Sequence, residues 1–303
     1  MKPETLVIVN PAAGGGRALR AERRVAVYLE ERNAAARFAH SSSSEDIRQQ
    51  AAGAAADGYR SVVALGGDGA FHHVVEGALG TGVSVGFLPA GGGNDIAKSL
   101  GIPIGIKQAV DTFLASEPRP VDLVRVKFRD GRTAHFIGVG GMGLDAEAAQ
   151  LANTRFRRWP GFWRYLGGAL AMFAAGKRLD LTALMDEERW NGRSLFAVVA
   201  NGSRYGAGFR IAPEAKMDDG LLDVALVADL RWLRFLRAIP IVLGSGDLRR
   251  FPEVKRYKCR RVVLETGRNA IVHGDGENLG ESPAEFEILP GAICVRAPLA
   301  ESG

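Results

Sequence analysis

Asp68 sits inside a run of glycines, Gly66-Gly67-Asp68-Gly69, where the apolar stretch Ser61-Val62-Val63-Ala64-Leu65 ends. A turn without β-carbons lets backbone N–H groups close on an anion, and an acid placed among them can serve a metal ion or a hydroxyl. Two more glycine turns follow apolar runs. Asn10-Pro11-Ala12-Ala13-Gly14-Gly15-Gly16 follows Leu6-Val7-Ile8-Val9, and Pro89-Ala90-Gly91-Gly92-Gly93-Asn94-Asp95 follows Val83 to Leu88. A helix that begins at such a turn adds its positive end. Three of them at the ends of neighbouring strands would build a phosphate-binding mouth, and the acid points to phosphate chemistry with a metal. Taken alone, Asp68 is equally a cap for the helix after it.

The elements that must position these turns are legible nearby. Phe71, Val74, Val75, Ala78 and Leu79 fall on one helical face after Gly69, and Ile96, Ala97 and Leu100 do so after Asn94. Arg17 to Arg32 and Glu45 to Asp57 are helix-compatible. Strands alternating with helices imply a parallel sheet that binds ligands beyond the carboxyl ends of its strands. From about residue 121 the pattern changes. Leu123 to Phe128 alternates, Asp130-Gly131 turns, and Thr133 to Val139 returns as a hairpin. Runs at 181–185, 195–200, 221–228, 261–266, 270–273 and 286–289 continue as strands. The expected fold is an α/β N-terminal domain with a parallel sheet, residues 1–122, followed by a mainly antiparallel β-sandwich, residues 123–303. The last strand is free to return to the first domain, and the boundary is read near Glu117-Pro118-Arg119-Pro120.

The 303 residues suffice for two full cores. Cys259 and Cys294 are too few for a disulfide framework, which points to a reducing compartment, and both read as small core residues. The N-terminus runs straight into a strand without a signal-peptide pattern, and no apolar run reaches the ~18 residues that span a bilayer. The expected location is cytoplasmic. A net charge of +5 permits attraction to anionic lipid or nucleic acid.

The ordered set of motifs resembles the diacylglycerol kinase catalytic-domain family, which includes sphingosine kinases and bacterial soluble lipid kinases. The matching stretches are Val9-Asn10-Pro11 with its glycines, Gly66 to Gly69, Leu88-Pro89 through Ala97, and Gly140-Gly141-Met142-Gly143-Leu144-Asp145. Ala200-Asn201-Gly202, Pro213-Glu214-Ala215 through Asp223, and Asp275-Gly276-Glu277 follow. The resemblance spans nearly the whole chain. It implies a first domain of the phosphofructokinase and NAD-kinase type, a β-rich second domain that helps accept lipid, and an active site in the cleft between them.

It also implies roles. ATP phosphates would lie over Gly66, Gly67, Asp68 and Gly69, with Asn10 and Arg17 near the first turn and Gly92, Asn94 and Asp95 at the third. The family's acids map onto Asp68, Asp95, Asp122, Asp275 and Glu277. Asp95 and Asp122 would face the substrate, and Asp275 belongs to the catalytic group. Glu277 is the first choice for activating the lipid hydroxyl, with Asp68 organising metal and nucleotide; Asp68 as the base is the alternative. Asp219 and the carbonyls of Lys216 and Leu221 match a Mg2+ position, structural or catalytic, although turn chemistry alone also explains Asp218-Asp219-Gly220. The chain departs from the family where Thr and an Asn-Glu pair usually follow Gly-Gly-Asp-Gly. Those positions hold Ala70, His72 and His73, and Gly92 replaces a Thr in the third turn. Adjacent helical residues point in different directions, which argues against a metal site at His72 and His73.

No acid occurs from Ala148 to Leu179, where Arg155, Arg157, Arg158, Arg164, Lys177 and Arg178 interleave with Phe156, Trp159, Phe162, Trp163, Tyr165 and Phe173. Arg231, Arg234 and Arg237 repeat at helical spacing, opposite Trp232, Leu233, Phe235 and Leu236. Both mixtures suit peripheral contact with an anionic membrane surface, and an ordinary amphipathic helix is the plainer alternative. The charge is local and without a nucleic-acid-binding motif, so nucleic acid is not an expected partner. The leading expectation is an ATP- and Mg2+-dependent lipid kinase acting on diacylglycerol or a related lipid. A lipid-binding pseudokinase and an NAD-kinase-like enzyme with a soluble acceptor are the alternatives. Sheet edges in the second domain leave homodimerisation open.

Overall fold

The computed structural model describes residues 4–143, 163, 166–167, 170–171, 173, 178–206 and 208–298. The chain divides into two compact units, Met1–Asp122 with Pro290–Gly303, and Leu123–Leu289.

The first unit alternates β1 (Thr5–Val9), α1 (Arg17–Glu30), β2 (Ala36–His40), α2 (Ser44–Gly53), β3 (Ser61–Gly66), α3 (Asp68–Ala78), β4 (Ser84–Pro89), α4 (Asp95–Ser99) and α5 (Ile106–Ala115). Its strands are parallel in the order β2-β1-β3-β4, with Thr5 opposite both Ala36 and Ser61, and Val62 opposite Val85. Every residue of β3 and β4 is buried, as expected for parallel strands covered on both faces. Helix α1 buries Ala18, Ala21, Val25 and Leu29, a spacing that keeps one stripe inward. Phe71 of α3 stacks on Phe87 of β4 with centroids 4.6 Å apart, a pair worth about 1 kcal/mol beyond its buried area.

The second unit is built from β5 (Pro118–Phe128), which starts in the first unit, then β6 (Thr133–Phe136), β7 (Val139–Gly143), β8 (Leu179–Met185), β9 (Glu188–Ala200), β10 (Leu222–Ala228) and α6 (Trp232–Leu243). After these come β11 (Val254–Cys259), β12 (Arg261–Thr266), β13 (Ile271–Gly274), β14 (Glu277–Glu281) and β15 (Ala284–Arg296). Pro118 to Pro120, near which the sequence placed the domain boundary, open β5. The pairings within this unit are antiparallel. Strand β9 organises them: its first half pairs with β8, while its second half pairs with β7 on one side and β10 on the other. Alternate residues of β8 are buried, the signature of a sheet with one face to the core. Val124, Phe136, Met142, Leu181, Val199 and Phe286 belong to one buried cluster. The later residues of β15 belong to the first unit, where Val295 joins β4 in parallel at Val85. The architecture is an α/β domain followed by a β-sandwich-like domain.

The cysteines divide. Cys259 is buried, and burial pushes its thiol up to about 12, so it is unreactive. Cys294 is exposed, contrary to the core reading of the sequence. Its neighbours Ile293 and Val295 take the inward positions of β15, and the period of two turns Cys294 outward.

Candidate active site

In the first unit, the three glycine turns are fastened to one another by backbone and side-chain bonds. Asn10 Oδ1 accepts the N–H of Ala12 at 3.1 Å, and Gly14, Gly15 and Gly16 continue at φ of 59°, 67° and 84°, a left-handed run suited to glycine. Arg17, the first residue of α1, reaches back from Nε to Gly14 O at 3.1 Å and across from Nη2 to Gly91 O at 2.7 Å. It therefore ties the first turn to the third. Ala90 N donates to Gly66 O at 2.6 Å, tying the third to the second. Glycine is required at this junction: a β-carbon on Gly91 would lie 2.5 Å from Gly67 Cα.

Asn94 is buried at φ 53°, and its side chain closes the third turn on itself. Oδ1 accepts from Gly91 N at 2.9 Å, and Nδ2 donates to Gly91 O at 3.2 Å. Asp68 opens α3, yet its Oδ1 accepts the N–H of Ile96 at 3.0 Å, in the first turn of α4. The capping alternative for Asp68 is thus realised on a different helix from the one that follows it. Asp95 is buried with Lys98 Nζ 3.2 Å from its Oδ1. Asp122 is buried and its Oδ1 accepts the N–H of Gly291 at 2.8 Å, joining β5 to β15. Gly66 is buried, Gly67, Asp68 and Gly69 are half-buried, and Gly92 is exposed. The result is a set of linked backbone turns carrying one half-exposed acid, suited to phosphate oxygens and an oxygen-seeking cation.

Close behind this mouth, His72 and His73 do converge, although neighbours on a helix step apart. Their ring centroids lie 4.9 Å apart at 79°, and Glu76 gathers both: His72 Nε2 is 3.4 Å and His73 Nδ1 3.2 Å from Glu76 Oε2. The reason is the i, i+3 and i, i+4 spacing, which brings Glu76 under both rings. Such a trio has metal-binding composition. Here, however, the Arg48 guanidinium from α2 supplies the cation, 2.9 Å from Glu76 Oε2 and 3.4 Å from His73 Nδ1. Burial alone would raise Glu76, but the bonds from His72, His73 and Arg48 hold it far below the usual carboxylate range.

In the second unit, motifs far apart in sequence meet on the loop between β6 and β7. Asp275 sits at φ 52°, and its carboxylate accepts three N–H groups: Ile137 at 2.9 Å, Gly138 at 2.8 Å and Val139 at 3.1 Å. Asn201 Nδ2 donates to Ile137 O at 2.7 Å, while Asn201 and Gly202 N–H groups both reach Gly138 O at 2.9 Å. The Asp275 carboxylate thus ties this loop to the turn that leads into β14. Glu277, two residues on at the start of β14, is exposed, and its carboxylate makes no hydrogen bond or ion pair among the described residues. That is the condition of an acid available to a substrate hydroxyl.

At the turn before β10, Asp219 has partners within the chain. Asp219 Oδ1 accepts the N–H of Leu221 at 3.1 Å, and its Oδ2 faces Lys258 Nζ at 3.4 Å. Lys216 is exposed. Lys258 Nζ also lies 3.2 Å from Asp223 Oδ2. Burial raises Asp223, Lys258 opposes this, and the like charges of Asp219 and Glu214 add to the rise. Neither Lys258 nor Arg48 was foreseeable from a local pattern, since each is delivered by packing of a distant element.

Leu144 and Asp145 of the Gly140 motif, and Arg155, Phe156, Arg157, Arg158, Trp159, Phe162, Arg164, Tyr165 and Lys177 of the basic aromatic segment, lie outside the described residues. Phe173 is buried and stacks on Phe235 of α6 at 4.1 Å, and Arg178 pairs with Asp229. Trp163 is exposed. Among the described residues, no helix is long and apolar enough to cross a membrane.

The diacylglycerol kinase catalytic domain matches residues 4–126, and the YegS C-terminal NAD kinase beta sandwich-like domain matches residues 138–297. A diacylglycerol kinase of Mycobacterium tuberculosis is 30% identical over 295 residues, covering 96% of this chain and 94% of the relative. A protein named "Probable lipid kinase YegS-like" from Pseudomonas savastanoi is 31% identical over 262 residues, covering 84% and 81%. The fold is shared with the crystal structure of a diacylglycerol kinase from Bacillus anthracis, at a TM-score of 0.76 and 20% identity over 99% of this chain and 98% of that one. With both domains matched in order and a relative aligned along nearly its full length, this chain belongs to the diacylglycerol kinase family of lipid kinases.

Proposed function

We propose that the protein transfers the γ-phosphoryl group of ATP, with Mg2+, to the free hydroxyl of diacylglycerol or a closely related lipid. The observation that carries this reading is the linked set of glycine turns with Asp68 among them, in a chain of the lipid kinase family. Phosphoryl transfer needs phosphates held by donors, charge spread by a cation, and a group that orients the acceptor hydroxyl. The backbone N–H groups of Gly66 to Gly69 and of the third turn bind phosphate oxygens, and Arg17 adds positive charge beside them. Asp68 would hold the magnesium that accompanies the nucleotide, which spreads charge over the transferred group. Glu277 accepts the proton of the lipid hydroxyl, and Asp275 keeps the Glu277 turn in place.

The membrane that holds such an acceptor is met by α6. Leu233 is 66% exposed, Trp232 45% and Leu236 38%, while Phe235 and Val242 hold the opposite face in the core. Arg231 and Arg237 are exposed beside this apolar strip. Arg234 is engaged with Glu253 at 2.7 and 2.9 Å, so two of the three arginines are oriented toward headgroups. Apolar groups flanked by arginine suit the interface of an anionic bilayer.

The test is transfer of labelled γ-phosphate from ATP to diacylglycerol, monoacylglycerol, ceramide, sphingosine and phosphatidylglycerol in mixed micelles, with NAD as a soluble acceptor. The expected result is a labelled lipid that disappears in Asp68→Ala. Labelling of NAD alone would move the assignment to a soluble acceptor. No labelling of any acceptor by a folded, vesicle-binding protein would favour a lipid-binding protein without turnover.

A further inference from the structure

The turn before β10 carries a cation already, and it is part of the chain. Family resemblance assigns Asp219, with the carbonyls of Lys216 and Leu221, to a magnesium ion. Magnesium demands six oxygens in near-octahedral array and gives up water reluctantly. The Asp219 side chain does not fit that demand. Oδ1 is turned to the Leu221 N–H at 3.1 Å, and Oδ2 faces the Lys258 ammonium at 3.4 Å. The same ammonium lies 3.2 Å from Asp223 Oδ2, so one lysine bridges two carboxylates.

Strand pairing delivers this lysine. Asp223 on β10 is directly opposite Lys258 on β11, in a register that runs from Leu222–Cys259 to Val227–Val254. Directly opposed side chains of one antiparallel pair lie close together on the same face. A cavity of about 250 Å³ adjoins the pair and is also lined by Glu214, Arg256 and Tyr257. Arg256 is committed elsewhere, donating from Nη2 to Gly246 O at 2.8 Å. Lys258 is therefore the cation that Asp219 and Asp223 share.

We propose that Lys258 takes the place of a divalent ion at the Asp219 turn, so that the start of β10 is ordered without metal. A tethered ammonium needs no free ion to be present.

The full chain is tested without nucleotide or lipid, so the outcome is independent of the kinase assignment. Thermal midpoints are compared in EDTA and in excess Mg2+ for the native protein, Lys258→Met and Asp219→Asn, and bound Mn2+ is counted by its paramagnetic signal. The native midpoint is expected to agree in EDTA and Mg2+ to about 1 °C, and Asp219→Asn to leave the Mn2+ count unchanged. Lys258→Met is expected to lower the midpoint in EDTA by about 2–4 °C. Its uncompensated carboxylates should then recruit Mg2+, which restores the loss. A native midpoint that rises with Mg2+, with the rise abolished in Asp219→Asn, would overturn the proposal. So would a Lys258→Met protein as stable in EDTA as the native one. If Lys258→Met does not fold, the native and Asp219→Asn pair still decides the question.

Discussion

Gly92 is exposed, and a β-carbon built there would meet only Arg17 Nη2, at 3.9 Å. The third turn therefore has room for the Thr that the family pattern carries at this position. A hydroxyl added there is worth about 1 kcal/mol if it reaches a phosphate oxygen. Gly92→Thr is expected to lower the KM for ATP roughly fivefold with little change in thermal midpoint; an unchanged KM would mean the turn binds through its backbone alone. Glu76 offers a second prediction. Its folded-state pKa lies below its ordinary 4.5, so the unfolded chain binds more protons between the two values. Its stabilising contribution is whole above pH 4.5 and is lost as pH falls through the folded value. Urea unfolding should find Glu76→Gln less stable than native at pH 7 by on the order of 2 kcal/mol, with the gap closing as the pH drops below 4.5. A gap independent of pH would place the effect in packing. The glycine turns and Asp68 among them stood out because turn chemistry is local, whereas Asp95, Asp122, Asp275 and Glu277 were singled out only through the family resemblance. Arg48 and Lys258 were not, because neither has a sequence neighbour that hints at its carboxylate.

Helix α6 is held on one side by Phe235 stacked on Phe173 and leaves Trp232, Leu233 and Leu236 outward. Leu233→Asp with Leu236→Asp is expected to cut co-sedimentation with anionic vesicles at least tenfold while the thermal midpoint holds to about 2 °C, since these side chains contribute little burial. Undiminished binding would put the membrane contact elsewhere. Elements buried on both faces announced themselves in the sequence, as β3 and β4 did with unbroken apolar runs. Strand β7 escaped notice because its glycines, Val-Gly-Gly-Met-Gly, break the apolar pattern, and the other strands that did so, β2, β11 and β14, read Ala-Arg-Phe-Ala-His, Val-Lys-Arg-Tyr-Lys-Cys and Glu-Asn-Leu-Gly-Glu. The last three each pair on one side only, with β1, β10 and β13 respectively. An edge strand has less apolar surface to bury and often carries charge against unwanted pairing, so its pattern fades. The His72 and His73 cluster was missed for a related reason: convergence there depends on Glu76 one turn later and on a second helix.

Each of the two units gathers its own distant motifs. The first gathers three turns from residues 10 to 95 around Asp68, and the second gathers residues 137 to 277 around one loop fixed by Asp275 and Asn201. The change from strand-helix alternation to strand-strand hairpins was visible along the sequence because it changes the hydrophobic period. The return of β15 to the first unit was left open there, since nothing local in Pro290 to Arg296 says which strand will accept it. What remains to be tried is the assignment of Glu277 as the base. Its carboxylate is exposed and touches nothing else among the described residues, so its removal should be silent for stability. The most direct measurement is Mg2+-dependent transfer of γ-phosphate from ATP to dispersed diacylglycerol by native protein and Glu277→Gln, with thermal midpoints taken on the same samples. The expected result is a fall in turnover of roughly 100-fold or more at a midpoint unchanged to about 1 °C. Native-like turnover in Glu277→Gln would contradict the assignment and return the base to Asp68.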